Sequence, residues 1–470
     1  MSDLDRQAAA CLLPSFPGHA VPGWVARWLE RGLGGITLFA YNVRDPAQLA
    51  ELTQALSADR PELLIAIDEE GGDVTRLEAG RGSSYPGNLA LGAVDDPTLT
   101  EEVASAIAGE LAQAGVNLNL APVADANTNP LNPVIGVRSF GSDPELVARH
   151  VAAFVRGTQR QGVAACAKHF PGHGDTSADS HRELPVAGGD LDAALLPFRA
   201  AVDAGVQAVM TGHLLVPRLD SAPATLSAPI LTGLLRGELG FQGLVITDAL
   251  EMKAVSETVG VEEAAVLALA AGADALCVGH DLHEEAVESI HAAILGAVRS
   301  GRLAEERVAE AAGRVEAVAR WAAPTAAGAA GREAGVDAAR RAVTVSGDVT
   351  APGAVLVLDL VPEANIAAGD AQHGLADLLP DARCVQLRAA PDDLDSVLSA
   401  HADRRLVVVL RDAARHEWQR ATTTAVLARR PDAIVVETGL PGGRPAGVAW
   451  IDSHGAGRAN LAAVAEALSG

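Results

Sequence analysis

Residues 168–181 read KHFPGHGDTSADSH and hold three histidines, one lysine and two aspartates within fourteen positions. Pro171, Gly172 and Gly174 are incompatible with a regular helix, so the segment reads as a loop. Apolar residues lead straight into it and two cationic groups, Lys168 and His169, begin it, which is unlike an ordinary solvated loop. A metal site built from His169, His173 and His181 with Asp175 or Asp179 would need ligands held at fixed spacing. The pattern matches neither HExxH nor a CxxC-type site, and a loop supplies no i, i+4 geometry, so no metal is expected. Lys168 as a Schiff-base nucleophile would need desolvation without a carboxylate partner, and the acidic surroundings disfavour it. A further use pairs Asp179 with His181. Residues two apart on an extended chain can lie on one side, and an aspartate bonded to one ring nitrogen fixes the tautomer and raises the basicity of the other. Such a dyad can protonate a leaving group and then deprotonate water.

The second chemical candidate is Asp248, in the run Val245-Ile246-Thr247-Asp248-Ala249-Leu250-Glu251-Met252. An aspartate directly after a buried strand costs stability unless it is hydrogen-bonded or used. Taken alone it reads equally well as the cap of the following helix. Beside the 168–181 loop, a carboxylate nucleophile is the sharper reading.

The elements that must position these residues are short apolar runs at 8–13, 35–40, 63–67, 116–122, 163–167, 206–210, 244–247 and 273–278. Their continuous apolar character fits strands covered on both faces, as in a parallel sheet. Segments 144–162, 192–204 and 261–271 carry helical spacing of apolar residues. Eight such units in about 320 residues fit an α/β fold of the (β/α)8, TIM-like barrel type, with an open doubly wound sheet as the competitor. Asp68-Glu69-Glu70, Asp125, Lys168-His169, His213, Asp248 and His280-Asp281 each follow a strand candidate, which in a barrel is the face that carries the active site. After Trp321 the composition turns small and flexible, and 322–335 reads as a linker. The expected organisation is therefore a catalytic barrel over 1–321 and a smaller α/β sandwich domain over 336–470, with strands at 354–360, 384–387, 406–410 and 433–436.

Composition excludes several functions. A net charge of −24 argues against nucleic-acid binding, because phosphates are met by clustered Lys and Arg. The opening Met1-Ser2-Asp3-Leu4-Asp5 lacks the basic and apolar regions of a secretory signal, and no membrane-length apolar run follows. Cys11, Cys166, Cys277 and Cys384 are far apart without a CxxC pattern, so they read as thiols of a reducing compartment; the expected location is cytoplasmic. Aromatic residues make up only 3% of the chain. Long polysaccharides are gripped on aromatic faces, so a small substrate held by polar groups is expected, without a cofactor.

Four separated motifs resemble the glycoside hydrolase family 3 β-N-acetylglucosaminidases. Residues 68–76, DEEGGDVTR, look like the family's D-x-E-G-G-x-V-x-R, and 132–141, NPVIGVRSFG, look like its N-P-V-I-G-x-R-S-F block. The KHFPGHG…DSH loop is the most specific of the four, and Asp248 with Met252 matches the D-x-x-x-M segment. The resemblance implies a retaining mechanism in which Asp248 attacks the anomeric carbon and His181, oriented by Asp179, serves as acid and then base. It also implies that Asp68, Arg76, Arg138, Lys168 and His169 hold the hydroxyls of the first sugar, leaving His173 to loop structure. The implied substrate is a small oligosaccharide or muropeptide with a terminal β-linked N-acetylglucosamine, and a monomer or weak homo-oligomer is expected. A phosphorylase and a non-enzymatic sugar-binding protein are the alternatives on the same scaffold. Residues 451–460, IDSHGAGRAN, resemble the C-terminal end of the second domain of two-domain relatives, where a structural or substrate-edge role is expected.

Overall fold

The computed structural model describes residues 2–279, 283–324, 331–363 and 373–470. The first part of the chain lays down eight parallel strands: β1 (Leu12–Pro14), β2 (Gly35–Leu38), β3 (Leu64–Ile67), β4 (Leu118–Asn119), β5 (Ala164–Phe170), β6 (Ala208–Thr211), β7 (Leu244–Thr247) and β8 (Leu276–Val278). Strands β2 to β7 form one sheet in sequence order, and β1 pairs with β8. Ala275, just before β8, bridges Ile246 of β7, and the Thr37 hydroxyl of β2 donates to the carbonyl of Leu13 at 3.4 Å, which carries the ring across both seams. The arrangement is a TIM-like parallel barrel. Alternation sorts the strand residues into two cores: Leu13, Leu64, Leu118, Cys166, Met210 and Ile246 fill the inside, while Leu12, Ile65, Ala165, Val209 and Val245 pack outward on the helices.

Local sequence explains where the helices start. Three of them, Pro46–Ser57, Pro97–Gln113 and Pro144–Arg160, begin at an Asp-Pro pair. In each the aspartate side chain accepts a backbone N–H of the first turn, and proline takes the first helical position, where its missing N–H costs nothing. These caps fix where the chain leaves each strand end.

The strand expected at 8–13 is a correction. Residues Asp3–Ala10 are helical, because Ser2 and Asp5 form a reciprocal capping box and the alanines that follow favour helix. The apolar run there is the buried face of that helix, and only Leu12 onward pairs as a strand. The run at 163–167 errs the other way. Strand β5 continues to Phe170, so Lys168 and His169 lie on its last residues and not in the loop. Its pairing with β6 shifts register between Ala167 and Phe170.

The C-terminal part carries a second sheet of β9 (Thr344–Ser346), β10 (Val355–Leu360), β11 (Arg383–Leu387), β12 (Arg405–Leu410), β13 (Ile434–Glu437) and β14 (Ala449–Asp452). Its order is β11-β10-β12-β13-β14-β9, parallel except for β9 against β14. Val357, Val407, Val436 and Ile451 pack on one face with the helix Arg458–Ser469, and Leu358, Val408, Val435 and Trp450 on the other. The helix Glu333–Ala342 starts inside the segment expected as a linker, and its Gly335 sits so close that a Cβ would lie 2.8 Å from the Tyr85 ring. The part of that segment at 325–330, and the His280-Asp281 pair, lie outside the described residues. No helix among the described residues is long and apolar enough to cross a membrane.

Candidate active site

Beyond β3 the chain turns sharply through the DEEGGDVTR motif. Glu69, buried, accepts the backbone N–H groups of Arg76 at 2.8 Å and Leu77 at 3.0 Å. Asn119 of β4 grips the same residue twice, accepting from its N–H at 3.1 Å and donating to its carbonyl at 2.9 Å. Burial pushes the Glu69 carboxyl up to about 7, against the opposing pull of those donors. Gly72 has φ +58°, and a Cβ there would lie 2.5 Å from the backbone of Gly87, so no other residue fits the turn.

Folding the motif this way brings its carboxylates to the end of β5. Lys168 is only 2% exposed, with Nζ 2.5 Å from Asp68 Oδ1 and 2.8 Å from Glu70 Oε1. Burial alone would lower its pKa, but the two carboxylates hold the ammonium charged and raise it. Glu70 also accepts both Arg138 Nη2 at 2.8 Å and Nε at 3.0 Å, a bidentate pair away from water. Burial would raise the Glu70 carboxyl; Arg138 and then Lys168 overcome that and hold it well below the usual range. Arg76 Nη2 stands 4.0 Å from Asp68 Oδ2. Arg138, Glu70, Lys168, Asp68 and Arg76 thus form one chain of ion pairs in that order.

In the segment that follows β4, fully buried Asp125 accepts His169 Nδ1–H at 2.8 Å and the backbone N–H of His173 at 2.7 Å. His169 is thereby fixed with Nε2 unpartnered among the described residues. His173 is tied into the loop, Nδ1 to the Thr176 hydroxyl at 2.7 Å and Nε2 to the Ser180 hydroxyl at 3.1 Å, and burial pushes its pKa down to about 4. Gly174 lets the loop touch the barrel, since a Cβ there would fall 1.9 Å from the carbonyl oxygen of Ala126.

Further along the loop Asp179 Oδ1 accepts both His181 Nδ1 at 2.7 Å and the His181 backbone N–H at 2.9 Å. Partial burial would raise the Asp179 carboxyl, but the side-chain and backbone hydrogen bonds from His181 bring it below its ordinary value. His181 Nε2 has no partner among the described residues and the ring is about a quarter exposed. Asp248, directly after β7, accepts only the N–H of Ala249 among the described residues, at 2.8 Å. The following helix, Lys253–Val259, has Met252 at its N-cap without a side-chain bond, so Asp248 is not its cap. Burial would raise the Asp248 carboxyl, yet the field of His213, His169 and His181 holds it below the ordinary aspartate value. His213 donates Nε2–H to the Ala249 carbonyl at 3.0 Å, and its Nδ1 lies 2.8 Å from the Thr225 hydroxyl.

All eight residues singled out from sequence therefore gather at the carboxyl ends of β3, β5 and β7 and the loops beside them. Glu70, Asp125 and His213, which build the site's electrostatics, were visible only as polar residues after strands. Another contact left no local trace: Asp73 of the motif forms an ion pair with Arg411 beyond β12 and accepts the Ala456 N–H at 2.8 Å. Among the described residues no group of three or more His, Cys, Asp and Glu side chains could hold a metal ion.

The sequence model of the glycosyl hydrolase family 3 N-terminal domain matches residues 22–318. A β-hexosaminidase A of Pseudoalteromonas piscicida is 37% identical over 313 residues, 60% of this chain and 52% of that protein. The chain thus spans about half the length of that relative. A β-hexosaminidase of Neisseria meningitidis serogroup C (strain 053442) is 39% identical over 264 residues, 54% of this chain and 73% of that one. A solved glycoside hydrolase family 3 β-N-acetylglucosaminidase from Paenibacillus sp. str. FPU-7 superposes with a TM-score of 0.89 at 36% identity, covering 100% of this chain and 97% of that one. Fold, site and likeness define the class, a glycoside hydrolase on a parallel barrel. The chain belongs to glycosyl hydrolase family 3.

Proposed function

We propose that the protein is a retaining exo-β-N-acetylglucosaminidase acting on terminal β-linked N-acetylglucosamine of small cell-wall fragments or chitooligosaccharides. The observation that carries this reading is the pairing of a carboxylate held ionised, Asp248, with an imidazole whose outer nitrogen has no partner among the described residues, His181, within one electrostatic field. In the first step the Asp248 carboxylate bonds to the anomeric carbon while the glycosidic C–O bond breaks. The leaving oxygen takes its proton from His181 Nε2, and Asp179 steadies the cation before that transfer. In the second step water attacks the glycosyl ester, His181 takes the water proton, and Asp248 leaves as carboxylate. Asp68, Arg76, Arg138, Lys168 and His169 Nε2 hold the sugar hydroxyls, with Glu70 fixing both Arg138 and Lys168 in place.

This reading assigns catalysis to a barrel over 1–321, joined through 322–335 to a second α/β sandwich domain over 336–470, whose sheet has its own apolar clusters on both faces. A cytoplasmic setting and a monomer or weak homo-oligomer complete it, supported by free, buried thiols at Cys11, Cys166 and Cys277. The test is release of 4-nitrophenol from the N-acetyl-β-glucosaminide. Asp248→Ala abolishes it. His181→Ala lowers kcat/KM by roughly 10²–10⁴ on an unactivated disaccharide, and by less on the nitrophenyl glycoside, whose leaving group needs little protonation. Wild-type rates in either variant would refute the roles.

A further inference from the structure

Asp175, which the sequence offers only as a candidate metal ligand, has another use in the fold. Its Oδ2 accepts two consecutive backbone N–H groups, from Gly188 at 2.9 Å and Gly189 at 2.6 Å. Bonds from backbone amides to a carboxylate belong to the stronger, charge-assisted class. The fit leaves no room for a side chain at the second amide, since a Cβ on Gly189 would stand 2.8 Å from the Asp175 carboxyl carbon. Asp175 thereby ties the start of a segment to its end. Residues 176–187 leave and return beside this one carboxylate, and they carry Asp179 and His181. A loop whose ends adjoin in this way is held by its neck.

Each end of the loop is also fastened to the barrel. On the way out, Asn129 donates Nδ2–H to the carbonyls of Asp175 at 3.3 Å and Thr176 at 3.1 Å. On the way back, the Ala187 N–H donates to the Leu215 carbonyl at 2.9 Å and the Leu215 N–H to the Pro185 carbonyl at 2.8 Å. Asp175 joins the first fastening to the second. Apolar packing contributes little here. A cavity of about 270 Å³ lies against the neck, lined by Gly172, Gly174, Ala187, Gly189 and Leu191 among others, and Gly188 and Gly189 are exposed. Where a segment has few buried apolar contacts, its hydrogen bonds decide how far it opens. The consequence reaches His181, because misplacing a reacting group by about 1 Å costs about 10²-fold in rate.

We propose that Asp175 is a positioning residue for the acid/base pair: by closing the neck of the 176–187 loop it holds His181 Nε2 where the leaving oxygen takes its proton. The proposal rests on the role given to His181 above. Its test is kcat/KM of the full-length protein on di-N-acetylchitobiose and on the 4-nitrophenyl N-acetyl-β-glucosaminide. This ratio reports the step in which the leaving group departs; the disaccharide needs the proton there and nitrophenolate scarcely does. Asp175→Ala lowers it about tenfold on chitobiose, the usual scale for losing one charged hydrogen-bonding group, and leaves the nitrophenyl glycoside nearly unchanged. Asp175→Asn, whose amide oxygen still accepts the two N–H groups without the charge, shows a smaller loss confined to chitobiose, and it carries the test should Asp175→Ala fail to fold. In a His181→Ala background, Asp175→Ala makes no further difference on either substrate. Equal losses on both substrates, no loss on chitobiose, or losses that add in the double variant overturn the positioning role alone. Wild-type rates in His181→Ala overturn the acid/base reading and the positioning role together.

Discussion

Asp248 and His181 are prepared for different tasks by their neighbours. The carboxylate faces imidazoles that keep it ionised, and the imidazole leans on a carboxylate that fixes its tautomer. The acid limb of kcat/KM should accordingly fall below the ordinary aspartate range, and Asp179→Asn should cut kcat more than KM, because the tautomer and the stabilised cation are lost while sugar contacts stay. His173 gives a stability prediction. Its folded pKa is about 4 and its unfolded value 6.5, so between these pH values only the unfolded chain takes up the proton. Stability is full above the unfolded value, declines as pH falls from 6.5 toward 4, and His173 contributes up to about 3 kcal/mol of that decline. His173→Asn should flatten this part of a melting-temperature profile; an unaltered slope would contradict the assignment. At this scale the sequence was informative where two residue types sit close along the chain, as with Asp179 and His181, whose side chains the structure joins. It was silent where a role depends on a partner. The bidentate bond from Arg138 to Glu70 leaves no trace in the sequence, and His213 gains meaning only from the Ala249 carbonyl beside Asp248.

The DEEGGDVTR turn and the KHFPGHG loop are positioned by contacts that reach well beyond them. The Asp73 side chain, 6% exposed, is held by Arg411 just beyond β12, and Gly457 packs so closely that a Cβ there would meet Gly72 at 2.8 Å. Arg411→Met leaves a buried carboxylate without its partner, which costs about 3–5 kcal/mol. It should also lower kcat/KM, because Asp68 and Glu70 belong to the same turn. The double variant Asp73→Asn with Arg411→Met should recover most of the stability; if it is as unstable as the sum of the single variants, the pair is not what couples the two parts. Gly174→Ala should uncouple the loop from Ala126 and lower activity without touching any reacting group. Most strands could be read from their apolar runs because burial on both faces leaves a continuous signal. The 8–13 run misled because a buried helix face and a buried strand look alike over six residues. The length of β5 was hidden because its last residues are the polar ones the site requires.

Across the whole molecule, one parallel barrel gathers charge at its carboxyl end and a second sheet turns its own carboxyl end toward the same loop. The barrel was legible because eight units repeat one pattern. The approach of the second sheet was not, since it depends on single long-range pairs such as Arg411 with Asp73, which carry no periodicity. The central claim is that Asp248 forms a covalent ester with N-acetylglucosamine. The most direct test is mass spectrometry of the full-length protein after reaction with a 5-fluoro-N-acetylglucosaminyl fluoride, a donor with a good leaving group whose ring fluorine slows both chemical steps. The expected result is a gain of one fluoro-N-acetylglucosaminyl group, located after digestion on the peptide containing Asp248 and absent in Asp248→Ala. An adduct on another residue, or turnover of the natural linkage with first release of the α anomer, would contradict it.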